Sequence, residues 1–395
     1  MSWLHLHWNL LVGMLMGLVW LSRLVGAALG MPKLAEISRP EWDLTPDPTP
    51  RVSIIVCALN EEAKIEPALR SLLDLDYSNY EVVAVDDRST DRTGEIMDRV
   101  AEEYRGEGKH HLRVVHVKEL PAGWLGKVHA MWSATNVADG EWLLFTDADV
   151  VFQRDALRRA VAYAERDKAD HVVLFPTMLM YTWSERMMIA FFQAMFVFGH
   201  RPWKTADPDA RDHMGVGAFN LIRRSAYEKI GTYARMKLSV VDDMKLGELV
   251  KKARLAQRNV FGRDLIQLHW HAGAMGVVKG LTKNFFAILR FNPAIAMGAI
   301  LGILFFNLGP FVGIVLAHGW ARAGYGLALI SLFGIYYGMT ERSRVPAYYV
   351  VLHPVSTILF SYAIARSMVV TLAQGGIEWR GTKYSLEELR RGVDV

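Results

Sequence analysis

Cysteine is almost absent: Cys57 stands alone among 395 residues, so no internal disulfide staples the fold. Lysine and arginine are missing ahead of the first long apolar run, where the basic candidates are His5 and His7. A cleaved secretory signal needs a basic segment there and a small-residue cleavage site after the run, so an uncleaved anchor is expected. No internal repeat and no low-complexity tract occurs, and Leu44 to Pro50 is a plain linker containing Pro and Asp. His200, His213, His269 and His271 share no local spacing that would tie them into a zinc site. Gly123-Trp124-Leu125-Gly126-Lys127 has neither the spacing nor the final hydroxyl residue of a phosphate-cradling Gly-x-x-x-x-Gly-Lys-Ser/Thr loop.

What is present divides sharply. Hydrophobic residues make up 52% of the chain and charged residues 22%, but residues 31–290 have a soluble composition while both flanks are apolar. A hydrocarbon core takes about 20 helical residues to cross. Trp8 to Gly30 is long enough, though Asn9 and Arg23 roughen it. Ala294 to Ala317, Gly324 to Met339 and Tyr348 to Leu372 are three further runs. Four spans of a multi-pass integral membrane protein are expected, with the short middle run alternatively interfacial or re-entrant. The net charge of +4 suits an anionic bilayer better than a nucleic-acid groove, so no nucleic-acid partner is expected.

Basic residues near span ends favour the cytoplasmic face of an inner membrane. Lys279, Lys283 and Arg290 precede the first C-terminal run, and Arg342 and Arg344 separate the last two. Four crossings put the tail from Glu378 on the outer side, where Arg380, Lys383, Arg390 and Arg391 fit badly. Either one run does not cross or the tail breaks the rule.

The middle alternates β-branched runs with helical patterns. Strands are expected at 51–57, 80–85, 112–117, 141–145 and 171–175, and helices at 62–73, 91–104, 124–138 and 155–166. Apolar strands separated by helices imply an α/β domain with a mostly parallel sheet. Ligands of such sheets bind beyond the carboxyl ends of the strands. Asn60 and Glu61, Asp86 and Asp87, and Asp147 and Asp149 all fall there. The expected organisation is an anchor at 1–30, a linker at 31–50, a catalytic domain at 51–270, an amphipathic interface segment at 271–292, membrane helices at 293–373 and a polar tail at 374–395. Met187 to Phe198, rich in Phe and nearly uncharged, reads as an interfacial helix touching lipid or as a buried core helix.

Each acidic pair has two readings. Asp147 and Asp149 offer oxygen ligands suited to Mg²⁺ or Mn²⁺ on a diphosphate, although Asp-x-Asp also occurs in ordinary surface loops. Asp86 and Asp87 form either a helix-start cluster or an acceptor for a base or ribose. Lys127 either meets a donor phosphate or is an exposed lysine near a helix start. Asp242 and Asp243 are an acidic N-cap, or one of them is a general base for an acceptor hydroxyl.

Taken in order, Val52-Ser-Ile-Ile-Val-Cys-Ala-Leu-Asn-Glu-Glu62, Val85-Asp-Asp-Arg-Ser-Thr-Asp-Arg-Thr93, Gly126-Lys127, Asp147-Ala-Asp149 and Asp242-Asp243 resemble glycosyltransferase family 2. Glu378-Trp-Arg-Gly-Thr-Lys-Tyr384 and the flanking spans resemble its lipid-acceptor branch, the hopanoid-associated, carotenoid and ceramide enzymes. The resemblance implies a GT-A fold with N- and C-terminal transmembrane helices, and metal-dependent inverting transfer from a UDP-sugar to a membrane lipid. It implies a donor site including Ala58, Asn60, Glu61, Asp86, Asp87, Lys127 and Asp147. It further implies Asp149 as principal metal ligand with Asp147 as partner, and Asp243 as base supported by Asp242. Many relatives carry Gln-x-x-Arg-Trp; Gln267-Leu-His-Trp270 is one residue short and lacks the arginine. That departure speaks against a processive polysaccharide synthase and leaves the positive partner of the diphosphate without a residue. An inactive scaffold that binds nucleotide-sugar is the other alternative.

Overall fold

The computed structural model describes residues 2–106 and 112–393. After the long helix α1 (Ser2–Gly30) come β1 (Ala35–Glu36), β2 (Val52–Ala58), α2 (Ile65–Leu73), β3 (Tyr80–Asp87), α3 (Thr93–Gly106) and β4 (Leu112–Val117). The alternation continues through α4 (Gly126–Thr135), β5 (Trp142–Asp147), β6 (Val151–Phe152), α5 (Ala156–Arg166), β7 (His171–Phe175) and β8 (Thr177–Met178). Next are α6 (Trp183–Gly199), β9 (Asn220–Arg223), α7 (Arg224–Lys229), α8 (Asp242–Lys252), β10 (Gln257–Phe261) and β11 (Ile266–Leu268). The apolar flank holds α9 (Gly273–Leu281), α10 (Phe285–Ile288), α11 (Pro293–Leu316), α12 (Ala321–Ser343) and α13 (His353–Gln374). The chain closes on β12 (Gly376–Trp379), β13 (Thr382–Ser385) and α14 (Leu386–Val393).

Two compact units result. The sheet unit comprises residues Leu34–Leu179 and Pro202–His269 together with the chain from Glu378 onward. Its main sheet has eight strands in the order β1-β10-β7-β9-β5-β2-β3-β4. β9 runs antiparallel to both β5 and β7, and the other pairings are parallel. β2, β3 and β5 are buried almost throughout, as strands covered on both faces must be. Register aligns their carboxyl ends: Ala58 lies opposite Asp86, and Cys57 opposite Asp147.

The other unit collects Met1–Lys33, Met180–Arg201 and Trp270–Ile377. Four of its segments are long and apolar enough to cross a bilayer: Trp8–Lys33, Pro293–Leu316, Ala321–Ser343 and Ala347–Gln374. The middle C-terminal run, expected to be short, becomes a 23-residue helix because three residues before Gly324 and four after Met339 prolong it. Small residues let α1 and α12 touch backbone to backbone. A Cβ on Gly17 would sit 2.6 Å from the Gly324 carbonyl oxygen, and one on Gly324 would sit 2.3 Å from the Gly13 carbonyl carbon. Gly13-x-x-x-Gly17 is thus a close-packing surface of the kind apolar helices use where no hydrophobic force separates protein from lipid.

Some of the polar groups in this unit are paired internally. Pro310 has no N–H to give the Phe306 carbonyl four residues earlier. The Trp20 indole N–H donates to that carbonyl instead, at 2.8 Å. Fully buried His353 meets the Tyr336 hydroxyl at 3.0 Å and Asn307 Oδ1 at 2.9 Å. Large side chains such as Leu11, Leu18, Leu301, Phe305 and Val369 stay exposed, as a lipid-facing surface requires.

Residues 180–201 interrupt the catalytic segment expected at 51–270, because α6 groups with the apolar helices. Its Phe191 is fully buried, with ring centroids 4.9 Å from His353 and 5.2 Å from Phe360, which is the core-helix alternative. The tail from Glu378 joins the sheet unit.

Candidate active site

The expected residues gather at the carboxyl edge of β2, β3 and β5, and the structure separates them into a charged centre and a polar rim. Lys127 is the second residue of α4. Its ammonium donates to Asp147 Oδ1 at 2.7 Å and lies 3.6 Å from Asp242 Oδ1. Burial works against the Lys127 charge, but Asp147, Asp242 and Asp243 outweigh it and raise its pKa above the ordinary lysine value. The exposed-lysine reading is thereby set aside.

Asp242 and Asp243 open α8, but Val241 is the N-cap, so neither aspartate is the cap itself. They sit in the first turn, where the helix dipole favours negative charge. Asp242 is buried. Asp243 Oδ1 accepts from the Met244 N–H at 2.7 Å and Oδ2 from the Gly217 N–H at 2.9 Å. Burial and the neighbouring Asp242 push Asp243 up to about 6, against the pull of Lys127. A carboxylate titrating there is ionised at neutral pH yet basic enough to take a proton.

The sequence reasoning missed the loop that builds this centre, Met214-Gly-Val-Gly-Ala218. A Cβ on Gly215 would fall 1.7 Å from the Asp243 carbonyl oxygen, and one on Gly217 would fall 2.4 Å from Asp147 Oδ2. A side chain at Gly215 would run into backbone, and one at Gly217 would have to displace the Asp147 carboxylate. The signal was the Gly-x-Gly spacing ahead of a strand.

On the rim, Asn60 adopts the left-handed region at φ 56°, which a short polar residue tolerates. Its Oδ1 accepts from the Thr90 N–H at 2.8 Å, while its own N–H donates to Ser89 Oγ at 3.1 Å. The Glu61 N–H donates to Thr93 Oγ1 at 2.8 Å. Asp87 is buried and bound by both Arg88 Nε and Nη2, at 2.8 and 3.0 Å. Asp86 points to the opposite face of β3, as alternation dictates. Its carboxylate is engaged by the Ser89 N–H at 3.2 Å and His116 Nδ1 at 3.0 Å, and it abuts Gly94. Asp86 is accordingly bound into the β3–α3 turn rather than turned toward Asp87, and Asp91 holds the start of α3 through Thr93.

Asp147 ends β5 and the chain turns at Ala148, so Asp149 reaches a different partner, Lys64 Nζ at 2.9 Å. Among the described residues no three His, Cys, Asp or Glu side chains converge into a metal-binding group. Asp147 and Asp149 carry carboxylate oxygens, the donor type that Mg²⁺ and Mn²⁺ prefer.

Residues 53–231 match the model of Glycosyl transferase family 2. The chain is 24% identical over 349 residues to 4,4'-diaponeurosporenoate glycosyltransferases of Staphylococcus aureus strains bovine RF122 / ET3-1 and USA300, covering 85% of this chain and 89% of theirs. Its fold is similar to that of the mannosyltransferase PcManGT from Pyrobaculum calidifontis, solved in complex with GDP-Man and Mn²⁺, at 20% identity and a TM-score of 0.50. That match covers 91% of this chain and 98% of the other. The chain is a glycosyltransferase with a GT-A-type sheet and apolar helices long enough to span a membrane.

Proposed function

We propose that this family 2 glycosyltransferase moves a single sugar from a UDP-sugar to a hydroxyl of a membrane lipid, inverting the anomeric carbon. The observation that carries the reading is the convergence of Lys127, Asp147, Asp242 and Asp243 at the carboxyl edge of the sheet. The apolar helices in the same chain support a lipid acceptor. The name of the staphylococcal relatives, which cites 4,4'-diaponeurosporenoate, supports the same class.

Asp243 takes the proton of the acceptor hydroxyl. The acceptor oxygen then bonds to the anomeric carbon as the bond from that carbon to the diphosphate breaks. Lys127 faces the carboxylates of Asp147 and Asp242 and supplies positive charge for the departing nucleoside diphosphate. Asp149 and Asp147 would hold Mg²⁺ or Mn²⁺, whose chemistry is to offset charge growing on the leaving group. Glu61, Asn60 and Asp87 form the rim on which the nucleoside would rest.

Native membranes containing the expressed chain, supplied separately with UDP- and GDP-sugars, test this directly. Mass spectrometry should show one lipid gaining a single sugar mass from a UDP-sugar. Polymer products, or no sugar-bearing lipid from any donor, would overturn the reading.

A further inference from the structure

We propose that the C-terminal hairpin is a built part of the donor site, with Arg380 and Tyr384 as positioning residues for nucleotide binding. This rests on reading the carboxyl edge of the sheet as the nucleotide-sugar site. The tail is far from that edge in sequence, yet it reaches the rim at two places.

Arg380 donates through its guanidinium to the Leu59 carbonyl and to the Glu61 carboxylate. Those two acceptors lie just beyond β2, where the nucleoside would rest. Arg380 and Gly381 occupy left-handed conformations at φ 49° and 79°, the two-residue turn that joins closely paired strands. Glycine suits the second position, but arginine at the first carries backbone strain. Such strain persists where surrounding contacts determine it, and here the guanidinium is what the turn delivers.

Tyr384 is buried, and its hydroxyl accepts from the Gly126 N–H at 3.1 Å. Leu125, the N-cap of α4, offers no side-chain acceptor, so the tail supplies one to the helix that carries Lys127. A Cβ at Gly126 would lie 2.6 Å from both Arg88 Nη2 and Asp87 Oδ2, so Gly126 sits against the pair formed by buried Asp87 and half-buried Arg88. The tail is anchored further on. Leu389 is fully buried, and a Cβ at Gly392 would fall 2.5 Å from the Cβ of Leu238, shortly before Asp242.

The tail therefore joins three parts of the proposed donor site: the end of β2, the Asp87–Arg88 pair and the start of α4. Losing Arg380 removes a charged donor from Glu61 and Leu59 and loosens the rim without touching the centre around Asp243. The deficit should appear in nucleotide affinity and spare the chemical step.

The test uses the full-length chain in detergent with Arg380→Gln, Arg380→Lys and Tyr384→Phe, measuring UDP binding, donor KM, lipid KM, kcat and thermal unfolding. Arg380→Gln should weaken UDP binding and raise donor KM by about tenfold or more, the equivalent of one lost charged hydrogen bond. Lipid KM and kcat should change little, and Arg380→Lys should recover part of the loss. Tyr384→Phe should act the same way more weakly. Unchanged UDP affinity in both non-conservative and hydroxyl-less variants, with a parent that binds UDP, would overturn the role of the tail alone. A loss shared equally by donor KM, lipid KM and thermal stability would do so too, since that marks a structural part only. A parent that binds neither UDP nor GDP would overturn the nucleotide-sugar reading, and this proposal with it.

Discussion

The Lys127 ammonium donates to the Asp147 carboxylate at 2.7 Å, joining the start of α4 to the end of β5. Each residue alone has an ordinary explanation; together they hold opposite charges at the edge where a diphosphate would sit. Lys127→Met leaves Asp147 and Asp242 without this cation and should destabilise the sheet unit by about 1.5–3 kcal/mol. Nucleoside diphosphate affinity should fall as well, with Lys127→Arg retaining part of both. Thermal unfolding and UDP titration check this, and unchanged UDP affinity in the Met variant would remove Lys127 from the donor site.

Asp243 sets the pH profile. Its folded value of about 6 lies above the ordinary aspartate range, so its proton is lost only above that point. A base must be deprotonated, hence kcat/KM should fall tenfold per pH unit below about 6 and level off above it. For stability the sign is opposite. The raised value favours the protonated folded form, a contribution present below the unfolded pKa and lost as pH rises through about 6.

Asp243→Asn should cut turnover by roughly 10²–10⁴-fold while leaving donor binding intact. Asparagine has one acceptor oxygen for the two N–H groups of Met244 and Gly217, so it forfeits one hydrogen bond, about 1 kcal/mol. Relief from burying a charge offsets that at neutral pH. Near-normal turnover with saturating donor and lipid would move the base elsewhere, first to Asp242.

Asp149→Asn should abolish Mg²⁺- or Mn²⁺-dependent transfer with little change in melting temperature. The pair it breaks with Lys64 is partly exposed, and such pairs contribute about 0–1 kcal/mol. Full activity of the parent after exhaustive chelation would sink the metal assignment.

The tail and the linker before β2 should be reached from one side of the membrane. Single cysteines at Thr45 and Ser385, in a Cys57→Ser background, should react with an impermeant thiol reagent from the same face of sealed vesicles. Labelling from opposite faces would show that the tail does not pack on the sheet unit in the membrane.

Much of this was legible in the chain because it depends on neighbours in sequence. Apolar runs long enough for lipid are a local property, and the burial of β2, β3 and β5 follows from mostly apolar segments. The strand at 112–117 and the strand at 171–175 have the expected bounds. Carboxylates just past strand ends were visible for the same reason. The opposite facing of Asp86 and Asp87 was available from strand alternation, had the strand been carried through both residues.

What tertiary structure alone decided are pairings across long separations. Sequence shows that Lys127 begins a helix and that Asp242 begins another, but only packing brings them within 3.6 Å. Gly215 and Gly217 carry no chemistry of their own, so their role appears only once the backbone of Asp243 and the carboxylate of Asp147 fill the space a side chain would need. The tail is the plainest case. Counting apolar runs left the side of the tail open, whereas in the fold Arg380 reaches Glu61 from 319 residues away. A hydrogen bond between groups so distant leaves no periodicity, spacing or composition in the chain, because it is selected by the folded surface and not by the residues on either side.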